Sequence, residues 1–140
     1  ARPVVSREGV LALQKAVREV EVPPSIVECA ARTVMLTQGD RAEAPASVRS
    51  YCRYGAGPRG AQALVLAAKA AALLDGRFHA GMKDLERFLL PALRHRVSVN
   101  FEGQSQGARP EDLVRDAWAA ARAALGPDAA LGPATPGAAK

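Results

Sequence analysis

The chain has 140 residues, 49% of them hydrophobic but only 4% aromatic, and a net charge of +5. That is one ordinary domain with a modest core, too short to hold an α/β nucleotide-binding domain plus anything else. The apolar content is mostly Ala, Leu and Val, of which Ala and Leu favour helix and Ala lets helices pack closely. No apolar run approaches a membrane span, and the start carries no signal-peptide pattern. The opening Ala1-Arg2-Pro3, without Met, reads as a piece of something larger or as a processed chain. Cys29 and Cys52 stand far apart with no His at ligand spacing, so neither structural zinc nor a disulfide framework is expected. Free thiols in a reducing cytoplasm are the default.

In chain order, Ser6 can cap a first helix whose apolar stripe is Val10, Leu13, Val17 and Val20. Pro23-Pro24 ends it. Ser25-Ile26-Val27-Glu28 has the form of a capping box, opening a second helix to about Gln38 with Ile26, Ala30 and Val34 on one face. Gly39-Asp40 stops that helix. Residues 40–50 are small and polar, and Val48 to Tyr54 fits a short strand or a helix equally.

Pro58 sits where Pro is favoured, at a first helical position. Ala61, Leu64, Val65, Ala68 and Ala72 form one stripe, and Leu66, Ala67, Ala70, Leu73 and Leu74 cover most of the rest. A helix apolar nearly all round is expected at the centre of the fold. Asp75-Gly76 ends it. A further helix runs from about Met82 to His95 with Met82, Leu85, Leu89 and Leu93 inward, and Pro91 should kink it. Val97, Val99 and Phe101 alternate with polar residues, which suggests a short extended segment over 97–101. The last helix starts at Pro110, with Glu111 and Asp112 in the first turn and Val114, Trp118, Ala121 and Leu125 inward. Gly126-Pro127 stops it, and 126–140 reads as a disordered tail. The expected fold is an all-α bundle of about five helices over residues 1–125.

Gly55-Ala56-Gly57-Pro58-Arg59-Gly60 matches G-x-G-x-x-G literally, and Asp75 follows about twenty residues on. The dinucleotide-binding reading fails, because that fold needs an apolar strand before the first Gly and another ending at the acid. Ser50-Tyr51-Cys52-Arg53-Tyr54 precedes instead, and an Ala-rich helix leads to Asp75. No G-x-x-x-x-G-K-[ST] phosphate loop is present, nor an apolar run ending in paired acids. What remains is a sharp turn into a helix start with Arg59 in its first turn. Backbone N–H groups, the helix dipole and a guanidinium fork together suit a phosphate oxygen; a plain helix start with a solvated Arg fits equally. His79 and His95 read as surface or capping residues. Arg94-His95-Arg96 closes a helix, where cations suit the dipole, or meets an anion or a neighbouring subunit through Arg94 and Arg96.

At Tyr54-Gly55-Ala56-Gly57-Pro58-Arg59 the chain resembles the C-terminal lid of MoxR-family AAA+ ATPases. The likeness continues in Ala67-Ala68-Lys69-Ala70 with Leu73-Leu74-Asp75-Gly76-Arg77, and in Asp84-Leu85 followed by Leu90-Pro91-Ala92-Leu93-Arg94-His95-Arg96. It extends through Phe101-Glu102, Gly107 and Glu111-Asp112-Leu113, and back to Val5-Ser6, Leu13-Gln14 and Val17, covering roughly residues 4–125. The resemblance implies a helical lid over an ATPase core, with Gly55, Ala56, Gly57, Pro58 and Arg59 at the nucleotide and Arg59 as the sensor-2 arginine reaching the γ-phosphate. It further implies ATP and Mg in the parent protein, ring neighbours in a hexamer, chaperone-like work and a partner with a von Willebrand factor A domain. Ala80-Gly81-Met82 departs from the family's usual Val and Ser/Thr-Pro and should weaken the cap of the helix from Met82. Arg109 stands where a Ser or Thr cap is usual. With the core's phosphate loop, Mg-binding acids and arginine finger missing, this chain alone is not expected to be an enzyme, and it is expected to bind no metal and no membrane. The competing reading is a basic helical nucleic-acid-binding domain using Lys83, Arg87, Arg94 and Arg96. The helix from Pro58 is too apolar to lie in a groove, and Pro91 interrupts the next, so nucleic acid is not the expected partner.

Overall fold

A computed structural model describes residues 4–126. The helices are α1 (Arg7–Glu19), α2 (Pro24–Leu36), α3 (Ala46–Tyr51), α4 (Pro58–Leu74), α5 (Met82–Leu93), α6 (Phe101–Ser105) and α7 (Pro110–Leu125). Two short strands, β1 (Cys52–Tyr54) and β2 (Ser98–Val99), pair antiparallel with Tyr54 opposite Ser98. The all-α expectation holds, with two short helices added to the five long ones.

The core lies between α2, α4, α5 and α7. Ile26, Leu64, Leu85, Leu93, Leu113 and Val114 are its largest fully buried apolar side chains apart from Val20 and Val48. In α5 the stripe Met82, Leu85, Leu89 and Leu93 is buried as the spacing requires. In α7, Val114, Trp118 and Ala121 are buried and Leu125 half-buried. Ser6 caps α1, accepting the Gly9 N–H at 3.1 Å.

Several expectations are corrected. α1 buries none of its residues: Val10 is 45% and Leu13 50% exposed, and only Val20, just past its end, is buried. Its amphipathic pattern is real, but within this chain its apolar side has little to pack on besides α4. Ser25 does not cap α2. Pro24 already occupies the first helical position, Pro23 is the cap residue, and Glu28 turns instead to Arg32 at 2.9 Å. α4 is not enclosed on all sides, since Leu66 is 53% and Leu74 81% exposed. The ambiguous stretch 48–54 is both things in succession, helix to Tyr51 and then strand. α5 runs through Pro91 but stops at Leu93, and Arg94–Arg96 tighten into a 3-10 turn. The extended segment near 97–101 shrinks to Ser98–Val99, because Asn100 caps α6, accepting the Gly103 N–H at 2.8 Å, and Phe101 becomes an exposed helical residue. The tail expected over 126–140 lies outside the described residues except for Gly126.

Gly81 has no side chain with which to cap α5. Asp84, three residues on, accepts the Gly81 N–H at 2.8 Å and closes the helix start from the other direction. The Asp84 carboxylate is itself buried and takes both terminal nitrogens of Arg77, at 3.0 and 2.7 Å. Burial would raise its pKa, but the Arg77 guanidinium and the Gly81 amide outweigh that and hold it below the usual carboxylate range. The same contacts push Arg77 further up.

Candidate functional site

The turn into α4 is fixed from below by the end of α2. Thr37, fully buried, donates its hydroxyl to the Val34 carbonyl at 2.6 Å and accepts the Ala56 N–H on the same oxygen at 2.9 Å. Gln38 donates its side-chain amide to the Ala56 carbonyl at 2.8 Å, so both polar groups of that peptide-bearing residue are bonded. The Cys52 thiol donates to the Thr37 carbonyl at 3.2 Å. Burial pushes the thiols of Cys29 and Cys52 upward, which suits packing groups rather than nucleophiles.

The glycines of this turn serve different ends. A Cβ on Gly55 would stand 2.4 Å from the Thr37 carbonyl oxygen, so the close approach of the two backbones requires glycine. At Gly57 a Cβ would meet nothing within 4 Å. Gly57 is the cap residue of α4, with extended backbone and no side-chain cap bond, so no steric reason demands glycine there. Gly60 is buried against α5, where an added Cβ would lie 3.0 Å from Leu93 Cδ2, 3.3 Å from Ala56 Cβ and 3.5 Å from Arg96 Cδ.

Pro58 brings no N–H to the first turn of α4, and the Gly60 N–H closes back onto the Gly57 carbonyl at 2.8 Å. Among the described residues, the Arg59 amide has no backbone acceptor at the helix start. The Arg59 side chain is exposed and forms no ion pair among the described residues. Arg59, Gln62 and Leu66, spaced three and four apart, share the outward face of α4. Beside that face an apolar groove of about 440 Å³ runs between α2 and α4, lined by Val27, Ala31, Ala61 and Val65 among others. The local arrangement can present a guanidinium, one free amide and the positive end of a 17-residue helix to an anion.

The remaining candidates fall at different distances from this turn. Arg96 lies against Gly60, and its Nε donates to the Ala92 carbonyl at 3.0 Å, at the end of α5. Arg94 and His95 are exposed in the 3-10 turn, and His79 is exposed in the loop before α5. Among the described residues no His, Cys, Asp and Glu gather as a metal site would require. Thr37 and Gln38 were missed by the sequence reading; a Thr at a helix end gives no signal until the segment it bonds is known.

The model of the AAA lid domain matches residues 45–117, more than half of the chain. The chain belongs to the AAA lid domain family. The matched span takes in the turn at Gly55–Gly60, the α4–α5 pair and the start of α7. Over 114 residues it is 25% identical to "Chaperone MoxR1" of Mycobacterium tuberculosis, covering 81% of this chain and 30% of that protein. It is 30% identical over 120 residues to "Uncharacterized protein YeaC" of Bacillus subtilis, covering 86% of this chain and 35% of the relative. A crystal structure of a putative ATPase from Cytophaga hutchinsonii superposes with a TM-score of 0.74 at 25% identity, covering 82% of this chain and 36% of that one. The lid is thus of the MoxR type, and it spans about a third of the length of the relatives it matches. Because those matches reach beyond residues 45–117, they extend the likeness to parts of the chain outside the family model.

Proposed function

We propose that this lid closes over ATP and Mg held by an ATPase core in a longer parent protein, with Arg59 directed at the γ-phosphate. The single observation that carries the reading is the exposed, unpaired Arg59 on a helix start that buried Thr37 and half-buried Gln38 lock in place. A guanidinium preoriented in this way meets charge that rearranges as the phosphoryl group is transferred, which is where electrostatic groups lower a barrier most. A change in the nucleotide then changes the force on α4, and through it the angle of the whole lid. The MoxR likeness supports a ring-forming, chaperone-like machine, with neighbouring subunits and a von Willebrand factor A domain protein as the partners to seek. The nucleotide-contacting stretch is Gly55, Ala56, Gly57, Pro58 and Arg59. Arg94 is kept as a candidate contact to a neighbouring subunit.

The test is Arg59→Ala in the full-length parent, with turnover and melting temperature measured on the same protein. Loss of a positioned electrostatic group typically costs about 3–4 kcal/mol of barrier, a rate loss of roughly a hundredfold to a thousandfold. Arg59→Lys should recover part of it, because a point charge cannot reproduce the fork. Wild-type turnover in Arg59→Ala would remove Arg59 from the site, and a collapsed melting temperature would make its role structural.

A further inference from the structure

We propose that α1 is a hinged arm, docked on α4 through its last turns only, latched there by Lys69, and able to undock as a unit about a pivot at Val20–Val22. The role holds whether or not Arg59 meets a nucleotide. α1 has 13 residues and buries none of them. Beyond its first turn, only Ala16 and Val17, near its C-terminal end, are even half-buried. Val10, Leu11 and Leu13 each stand about half exposed. A helix this short is marginal in water without tertiary packing, and Gly9 within it lowers its intrinsic stability further.

The chain just past α1 is held quite differently. Val20 is 1% exposed. Glu21 makes two backbone hydrogen bonds to the loop between α4 and α5: its N–H donates to the Phe78 carbonyl at 2.9 Å, and its carbonyl accepts the Ala80 N–H at 2.9 Å. Val22 is half-buried, and Pro23-Pro24 restrict the backbone at the entry to α2. An element without buried side chains thus meets a fixed point within two residues of its end, and the step from low to high local stability falls there. One side chain reaches back across that step. Lys69 of α4 donates its ammonium to the Arg18 carbonyl at 2.8 Å. That carbonyl is among the last four of α1, which find no partner inside the helix, so the cation both satisfies it and suits the helix dipole.

Docked, the arm is completed by Lys69 and by the packing of Ala16 and Val17. Undocked, it loses both and unwinds, while Val20, Glu21 and the rest of the fold stay in place. The two states differ at the groove between α2 and α4, because Arg18 and Lys69 line one end of it beside Val65 and Leu66. Undocking removes the Arg18 wall and opens that end. Whatever binds the stripe Val10, Leu13 and Val17 in its helical form shifts the population towards the ordered arm.

The experiment is residue-resolved amide hydrogen exchange on this chain, as wild type, Lys69→Met and Lys69→Arg. In the wild type, amides from Val10 to Glu19 should exchange as one group, on the order of a hundredfold or more faster than those in the middle of α4 and α5. The bonded amides of Glu21 and Ala80 should stay protected with the core. Lys69→Met keeps a long apolar stem and removes the donor, and should speed the α1 group roughly threefold to tenfold relative to α5, the usual worth of one hydrogen bond. Lys69→Arg keeps a donor and should fall between. Protection of α1 equal to that of α5 overturns the arm, and exchange of Glu21 and Ala80 together with α1 overturns the pivot. If Lys69→Met destabilises the whole fold, α5 accelerates too, so the ratio of α1 to α5 exchange is what decides. An unchanged ratio overturns the latch.

Discussion

The Thr37 hydroxyl oxygen receives the Ala56 N–H at 2.9 Å across nineteen residues of sequence, and so ties the end of α2 to the turn that presents Arg59. Both groups are fully buried, and the same hydroxyl donates to the Val34 carbonyl at 2.6 Å. Thr37→Val keeps the shape and removes both bonds, leaving the Ala56 amide buried without a partner. The expected loss is about 1–3 kcal/mol of folding stability, the cost of an unmade buried hydrogen bond. Thr37→Ser should cost less, because it keeps the hydroxyl and gives up only a methyl group. Chemical denaturation of the two variants checks this, and equal stability of Thr37→Val and wild type would show that the tie is energetically idle.

Gly55 and Gly57 should respond in opposite directions to a small side chain. Gly55→Ala drives a Cβ to 2.4 Å from a backbone oxygen, which cannot swing aside, so the turn or the end of α2 must shift. Overpacking of this kind costs about 1–3 kcal/mol. Gly57→Ser places a hydroxyl in open space at the cap of α4 and should add a few tenths of a kcal/mol, the usual difference between Gly and Ser at that position. Melting temperatures of both variants decide the pair, and destabilisation by Gly57→Ser would mean that the cap geometry is not free to use the new oxygen.

The elements whose signals are local were legible in the sequence. The α5 stripe Met82, Leu85, Leu89, Leu93, the Ser6 cap, the Pro58 start and the Pro110 start with its acids all appear where spacing and chemistry put them. What was not legible depends on neighbours. The amphipathy of α1 is as clear as that of α5, yet nothing in its own sequence says that its apolar stripe is left largely exposed. Ser25 and Glu28 have capping-box spacing, but Pro24 moves the helix start two residues earlier. For the site, Arg59 was found from the turn and from a resemblance. Thr37, Gln38 and the placement of Arg96 against Gly60 needed the folded chain, because each joins segments at least eighteen residues apart.

That contrast between α1 and α5 is measurable. Leu13 is 50% exposed and Leu85 fully buried, although both sit in regular apolar stripes. Leu85→Ala in this chain should cost about 2–5 kcal/mol, as truncations in packed cores do. Leu13→Ala should stay within about 0.5 kcal/mol, the range of surface substitutions. Urea denaturation of the two variants checks the difference, and a large loss in Leu13→Ala would mean that α1 is packed in solution.

Acid should unlock the α4–α5 connection through Asp84. Its pKa in the folded chain is lowered, since the Arg77 fork and the Gly81 amide outweigh the opposing effect of burial. A carboxylate whose folded pKa lies below its unfolded one binds fewer protons folded than unfolded. Its contribution is therefore present in full above the unfolded pKa, about 3.9 for Asp, and is lost as pH falls through the folded value. Neutral and alkaline conditions should leave it untouched. Arg77 is about a third exposed (36%), so solvent screens part of the attraction. The hydrogen bonds to the buried carboxylate remain the larger contribution, on the order of 1.5–3 kcal/mol for charged partners. Asp84→Asn should lower stability at neutral pH, because the amide cannot accept the fork with both of its heavy atoms and leaves Arg77 without its countercharge. It should also flatten the acid limb of the stability curve. Melting temperatures of wild type and Asp84→Asn from pH 7 down to pH 2 provide the check. Two curves that fall in parallel across the acid range would show that another carboxylate governs acid unfolding.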